Sequence, residues 1–293
     1  ILLQEVQLMT LIKTGKFELK RIELNGPEIE VSLKGDKYQI FPLKDTLANK
    51  KQEPAGGKKF INAFSLSEFE LIDASFHIIN FTKGREFNIR DFNITLDKLN
   101  LGQKPGFDFY SIQKAVLSIG SLSVKMNSGG ISSAQLTDFS FGADSVDIRK
   151  SIDSTIFKFK GFSTALNGLS LNTADSLFNL AVKSMDLSSR RQSINLSGIS
   201  FKPNVSQAEL LRRDRYQKAY ISAEVGSVQL QNVLFDTLVY NHKLVVDQLT
   251  VDKVFLSLFK DKRKPADMKK FPQYMSQKIK AIPLPLLIKR VKA

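Results

Sequence analysis

The chain has 293 residues, 42% of them hydrophobic, and carries 43 Lys and Arg against 29 Asp and Glu, for a net charge of +14. It contains no cysteine, which excludes disulfides, thiolate catalysis and cysteine metal sites while leaving the compartment open. No run of eighteen apolar residues occurs, so the sequence offers no membrane-spanning helix.

The chain opens without Met on Ile1-Leu2-Leu3 and stops at Ile288-Lys289-Arg290-Val291-Lys292-Ala293, which reads as a segment of a larger protein. From Phe17 onward an apolar phrase, ψ-x-ψ-x-x-ψ-x-ψ with ψ apolar, recurs at Phe64, Phe87, Tyr110, Ala134, Phe157, Leu180, Ile194, Ala223 and Leu244. From Phe64 to Leu180 the steps are 23, 23, 24, 23 and 23 residues, and Thr164 is the one polar residue at a ψ position. A fixed period of this kind marks an array of one structural unit, each burying its apolar face against its neighbours.

Each half of the phrase alternates with period two, as a strand with one apolar face does. The halves are offset by three residues, which a β-bulge reconciles by bending the strand. The paired x residues at the bulge should then face water, and none of them is apolar: Arg90-Asp91, Thr137-Asp138 and Ser197-Gly198 are examples. Shorter alternating runs follow, such as Phe76-x-Ile78, Leu99-x-Leu101 and Leu169-x-Leu171. With turn signals at Asn25-Gly26-Pro27, Ser128-Gly129-Gly130 and Asn167-Gly168, the unit reads as a hairpin of two strands. Asn-Gly suits tight reversals and favours an antiparallel meander over one coil of a parallel β-helix. The expected fold is mainly β: a single elongated, curved antiparallel β-meander of about 23-residue repeats. Some sixteen to twenty strands would span on the order of 80–100 Å.

Three segments depart from the repeat. Residues 45–60 form a polar, Gly- and Pro-containing loop expected to be mobile. Residues 206–218 read as a short helix, with Ser206 as cap and Glu209 at the third position. Residues 266–280 read as a second, with Met268, Phe271, Met275 and Ile279 at helical spacing. Packing across an open end of the sheet is the expected role of both, with reversible gating or membrane contact as the alternative.

Enzymatic constellations are mostly absent from the sequence, and no catalytic residue, metal site or cofactor is expected. His77 and His242 stand far apart without an HExxH-like pairing, and neither a P-loop nor a GxSxG element occurs. Asp144 and Asp147 together supply too few oxygens for Ca²⁺. Nucleic acid is not an expected partner, because the aromatics sit at the apolar phase of strands and do not interleave with basic residues.

What remains is the apolar face. It can close into a dry core, pack on a second sheet, or stay open as a trough lined by hydrocarbon with Lys and Arg at the rim. The candidate lining residues are Phe64, Leu66, Phe69, Leu71, Phe87, Ile89, Phe92, Ile94, Phe139, Phe141, Phe157, Phe159, Phe162, Ile199 and Phe201. Two functions compete: a non-enzymatic lipid-binding segment, and a scaffolding β-array with a closed core that binds protein partners.

The passage Phe17-Glu-Leu-Lys-Arg-Ile-Glu-Leu-Asn-Gly-Pro-Glu-Ile-Glu-Val31 resembles the strand, Pro, strand opening of the AsmA-like family. The 45–60 insertion before Phe64-Ser-Leu-Ser-Glu-Phe-Glu-Leu-Ile-Asp-Ala-Ser-Phe76 is similar, as is the connector from Phe271-Pro-Gln-Tyr to Ile282-Pro-Leu-Pro-Leu-Leu-Ile-Lys-Arg-Val291. The resemblance implies a TamB-type repeating β-groove protein of the Gram-negative envelope. Such a protein would be periplasmic, tethered to a membrane by an anchor outside this segment. It would bind phospholipid or another acyl lipid, transfer it between membranes and serve outer-membrane biogenesis. One departure from the pattern is that the Leu180 and Ile194 copies stand only 14 residues apart.

Overall fold

The structure, a computed structural model, describes residues 1–33, 63–104, 107–126, 130–150, 155–213, 215–217, 219–266 and 285–292. The 45–60 loop lies outside the described residues, as does the 266–280 helix beyond Ala266. Fifteen strands are described: β1 (Leu2–Val6), β2 (Lys16–Asn25), β3 (Glu28–Leu33), β4 (Ala63–Asn80), β5 (Arg85–Lys104), β6 (Phe107–Met126), β7 (Ile131–Lys150), β8 (Thr155–Lys158), β9 (Gly161–Leu166), β10 (Leu169–Thr173), β11 (Phe178–Ser188), β12 (Ser193–Pro203), β13 (Ala219–Val233), β14 (Leu244–Lys260) and β15 (Leu286–Lys292). Three short helices, α1 (Leu8–Thr14), α2 (Gln207–Arg213) and α3 (Phe235–Asn241), interrupt them.

The protein is mainly β, and hydrogen-bonded neighbours follow chain order in a meander. The repeat unit differs from the expected hairpin. The Phe64 phrase and its following run Phe76-x-Ile78 lie on one strand, β4, and the Phe87 phrase with Leu99-x-Leu101 lies on β5. One repeat is therefore a single strand of 18 or 20 residues plus a short turn, so the array has fewer, longer strands than the sequence suggests. The Asn-Gly signals explain the error. Asn167-Gly168 separates β9 from β10, which both pair antiparallel with β11, so the dipeptide marks a kink within one direction of travel. Asn25-Gly26-Pro27 likewise separates β2 and β3, both parallel to β4, and Gly26 adopts φ +59° while its N–H donates to the Ile72 carbonyl at 2.9 Å.

Contacts divide the chain into two compact units, Ile1–Lys125 with Ser140–Phe162, and Met126–Phe139 with Ser163–Ala293. In the first, β1 pairs antiparallel with β2, β2 and β3 run parallel to β4, and β4 pairs antiparallel with β5. Its buried apolar residues include Leu19, Leu66, Ala74, Ala143 and Val146. In the second, β10, β11, β12, β13 and β14 form antiparallel neighbours and β15 returns parallel to β14. Here the repeat spacing shortens because β11 and β12 are 11 residues each, which accounts for the close Leu180 and Ile194 copies.

Kinks occur where the paired polar residues stand, but across β11 to β14 the register is unbroken on either side of them, so neighbouring strands kink together without the extra residue of the expected bulge. Between β4 and β5 the register does shift, around Ala74. Asp91, Asp138 and Gly198 all take positive φ, and pairing skips Lys183 with Gly198 between Val182–Ile199 and Ser184–Ser197. Both members are exposed at Arg90-Asp91, Gln113-Lys114 and Thr137-Asp138; in each of the other seven pairs at least one member is half-buried, or, at Gly161, buried, so the expectation that all face water fails there.

Helix α2 replaces the expected 206–218 helix with a shorter one. Ser206 Oγ accepts the Glu209 N–H at 3.2 Å as its cap, Glu209 pairs with Arg213, and Leu210 is fully buried. Helix α3 was not expected. It buries Phe235 alongside Val233 and Val246, and the Leu234 N–H donates to the Val245 carbonyl at 3.0 Å.

Candidate functional site

Period-two alternation on long antiparallel strands stacks the apolar phrases into ladders, because directly opposed residues share a face. In the first unit Phe64 faces Leu101, Leu66 faces Leu99, Phe69 faces Leu96 and Leu71 faces Ile94. Past the kink, Phe76 faces Ile89 and Ile78 faces Phe87. The phrase of one strand thus meets the shorter run of the next, and the two together fill one face. Across the parallel β2–β4 pair, Phe17 and Phe64 rings stand 6.0 Å apart, and Phe76 meets Phe92 edge-on at 5.4 Å. Phe162 joins Phe141 at 6.5 Å and Phe159 at 6.1 Å. Phe157 lies on β8 with its Cα opposite Ile148.

In the second unit the ladder runs from Leu136–Leu169 on β7 and β10 through Leu169–Val182, Val182–Ile199 and Ile199–Val225 to Val225–Val254. Beside it run Leu180–Phe201 and Phe201–Ala223, with Phe178 stacked on Phe201 at 5.1 Å. Phe139 belongs to this unit, apart from the Phe141 it neighbours in sequence.

Among the expected lining residues, Leu66 is buried at 2% exposure, and the other side chains described are half-buried. The ladders therefore leave hydrocarbon partly open to solvent. Sequence reasoning overlooked Leu96, Leu99, Leu101 and Phe76 as members of the first unit's face, and Phe178 as a member of the second's. For the first four the signal is the same alternation continued further along the long strand; for Phe178 it is the alternation extended two residues ahead of Leu180.

The opposite face is polar and internally paired. Arg21 bonds Glu70 and stands 3.1 Å from Glu23 and 3.6 Å from Glu68; these bonds, Glu70 first, raise its pKa further. Lys125, with His77 behind it, holds the Glu86 carboxyl below its ordinary range. Asn179 donates to Ser170 Oγ at 2.7 Å and to Asn172 Oδ1 at 3.0 Å. Exposed Lys83, Lys125, Lys150, Arg190, Lys202 and Lys260 stand at or near strand ends, where a rim is expected. Among the described residues no group of three or more His, Cys, Asp or Glu side chains is arranged to hold a metal. No family model, curated protein or solved structure matches the chain.

Proposed function

We propose that this chain is a non-enzymatic lipid-handling segment whose apolar sheet faces solvate acyl chains of phospholipid or a related lipid. The observation that carries this reading is the half-exposed state of the Phe, Leu and Ile ladders in each unit. In each unit these half-exposed side chains stand next to one another along paired strands, and extended exposed apolar patches mark sites of interaction. Basic side chains at the strand ends suit phosphate headgroups, and the net charge of +14 favours approach to anionic lipid. The resemblance to AsmA-like proteins supplies the setting: a periplasmic segment in a Gram-negative envelope, tethered by an anchor outside this chain and contributing to outer-membrane biogenesis through intermembrane phospholipid transfer.

Phe92→Asp and Phe159→Asp test the reading. On an open face the variants keep their strand content by circular dichroism while lipid recovered from the purified protein falls. If either variant unfolds, the face is a dry core in which an unpaired charge is costly. The protein is then a scaffolding array with protein partners. Normal folding with unchanged lipid content defeats the lipid reading outright.

A further inference from the structure

One stretch of β14 breaks the rule that separates an apolar from a polar face. Val254, Leu256 and Leu258 continue the ladder against Val225, Ala223 and Ile221. Phe255 and Phe259 lie on the other side of the strand, where their partners are Glu224 and Tyr220, and are 60% and 41% exposed. A lipid-binding ladder accounts for the first three residues and gives no reason for the two phenylalanines. Among the described residues this stretch is also an edge. β15 covers the outer side of β14 only from Leu244 to Thr250, and among the described residues no strand lies beside Val251–Lys260. Lys253, with φ +56°, kinks the strand where the uncovered part begins. An apolar edge strand with open N–H and C=O groups is a template for pairing with another strand.

The sequence of that edge indicates which strand. Phe255-Leu256-Ser257-Leu258-Phe259 reads identically in both directions. We propose that a second copy of this chain pairs antiparallel with β14 about a two-fold axis at Ser257. In that register Phe255 of each copy faces Phe259 of the other and Leu256 faces Leu258, so both faces gain like-for-like apolar pairs twice over. An isologous interface requires a surface complementary to itself, and a palindromic strand supplies one. Continuing the register sets Val254 of each copy opposite Lys260 of the other, and beyond it Asp252 toward Lys262, opposite charges at both ends. The inference is independent of lipid binding, since it rests on the residues that a lipid groove leaves unexplained.

Sedimentation velocity on the 293-residue chain should give the mass of a dimer. Phe255→Lys/Phe259→Lys places like charges across both pairs and should give the monomer. Phe255→Glu/Phe259→Lys places opposite charges there and should restore the dimer. The chain has no cysteine, so Ser257→Cys with a short thiol-to-thiol cross-linker reports proximity at the axis directly. It should yield a covalent dimer, while the exposed Asn195→Cys should not. A monomeric wild type, a dimer that survives the Lys/Lys variant, or a dimer that fails to cross-link at Ser257 would each overturn the proposal, whatever the protein does with lipid.

Discussion

Gly198 on β12 meets Lys183 on β11 so closely that a Cβ on the glycine would stand 2.7 Å from the Lys183 Cβ. The same crowding recurs two pairings further on, between β13 and β14, where a Cβ on Gly226 would stand 2.9 Å from that of Lys253. Pairing skips these residues together, so Lys183, Gly198, Gly226 and Lys253 form a row of aligned kinks across β11 to β14. Gly198 also needs φ +58°, which costs an L-residue about 1–2 kcal/mol. Gly198→Ala should therefore lower stability by at least about that amount, measured by chemical denaturation. An unchanged midpoint would mean that the kink is not required.

Leu66 distinguishes the small buried core from the open ladder around it. At 2% exposure its replacement by Ala leaves a cavity and should cost about 2–5 kcal/mol. Phe69→Ala, three residues on and half-buried, should cost less than the ~3–5 kcal/mol of a fully buried phenylalanine. Comparing the two denaturation midpoints checks the difference, and equal large losses would point to a dry core.

Acid should weaken the second unit. The Asp261 carboxyl, held by Arg263 through side-chain bonds at 3.0 Å, sits below its ordinary 3.8, and Asp247 is lowered chiefly by Lys289 at 2.7 Å. The unfolded chain protonates these groups first as pH falls. Their stabilisation is thus present above about pH 4 and is lost as pH drops through the lowered folded values. Thermal unfolding from pH 7 to pH 3 should show the decline, and Asp261→Asn should be less sensitive over the same range. A variant with the wild-type profile would assign the acid sensitivity elsewhere.

The sheet alternation, its period and its kinks were legible because each is a local property of side-chain order. Asp91, Asp138 and Gly198 sit at positive φ where the three-residue offset placed a bulge. The mistaken hairpin came from reading Asn167-Gly168 as a reversal. Neither residue takes positive φ; Gly168 is required because a Cβ there would collide with Thr137 Oγ1, and composition alone does not separate a close approach from a tight turn. Helices α1 and α3 are seven residues each and lack a side-chain cap hydrogen bond, so they carry no start signal. The parallel return of β15 onto β14 joins segments that no periodicity connects. The candidate face was half legible: the phrases gave Phe64, Phe69 and Phe92, but their partners Leu101, Leu96 and Phe76 depend on register between strands. Register is set by pairing and lies outside any single strand's pattern.

The central claim is that the apolar ladders hold lipid. Native mass spectrometry with lipid extraction, on protein purified gently from membranes or lysate, tests it most directly. The account predicts phospholipid co-purifying at a defined stoichiometry. A clean protein mass, under conditions that retain lipid on a known binder, would contradict it.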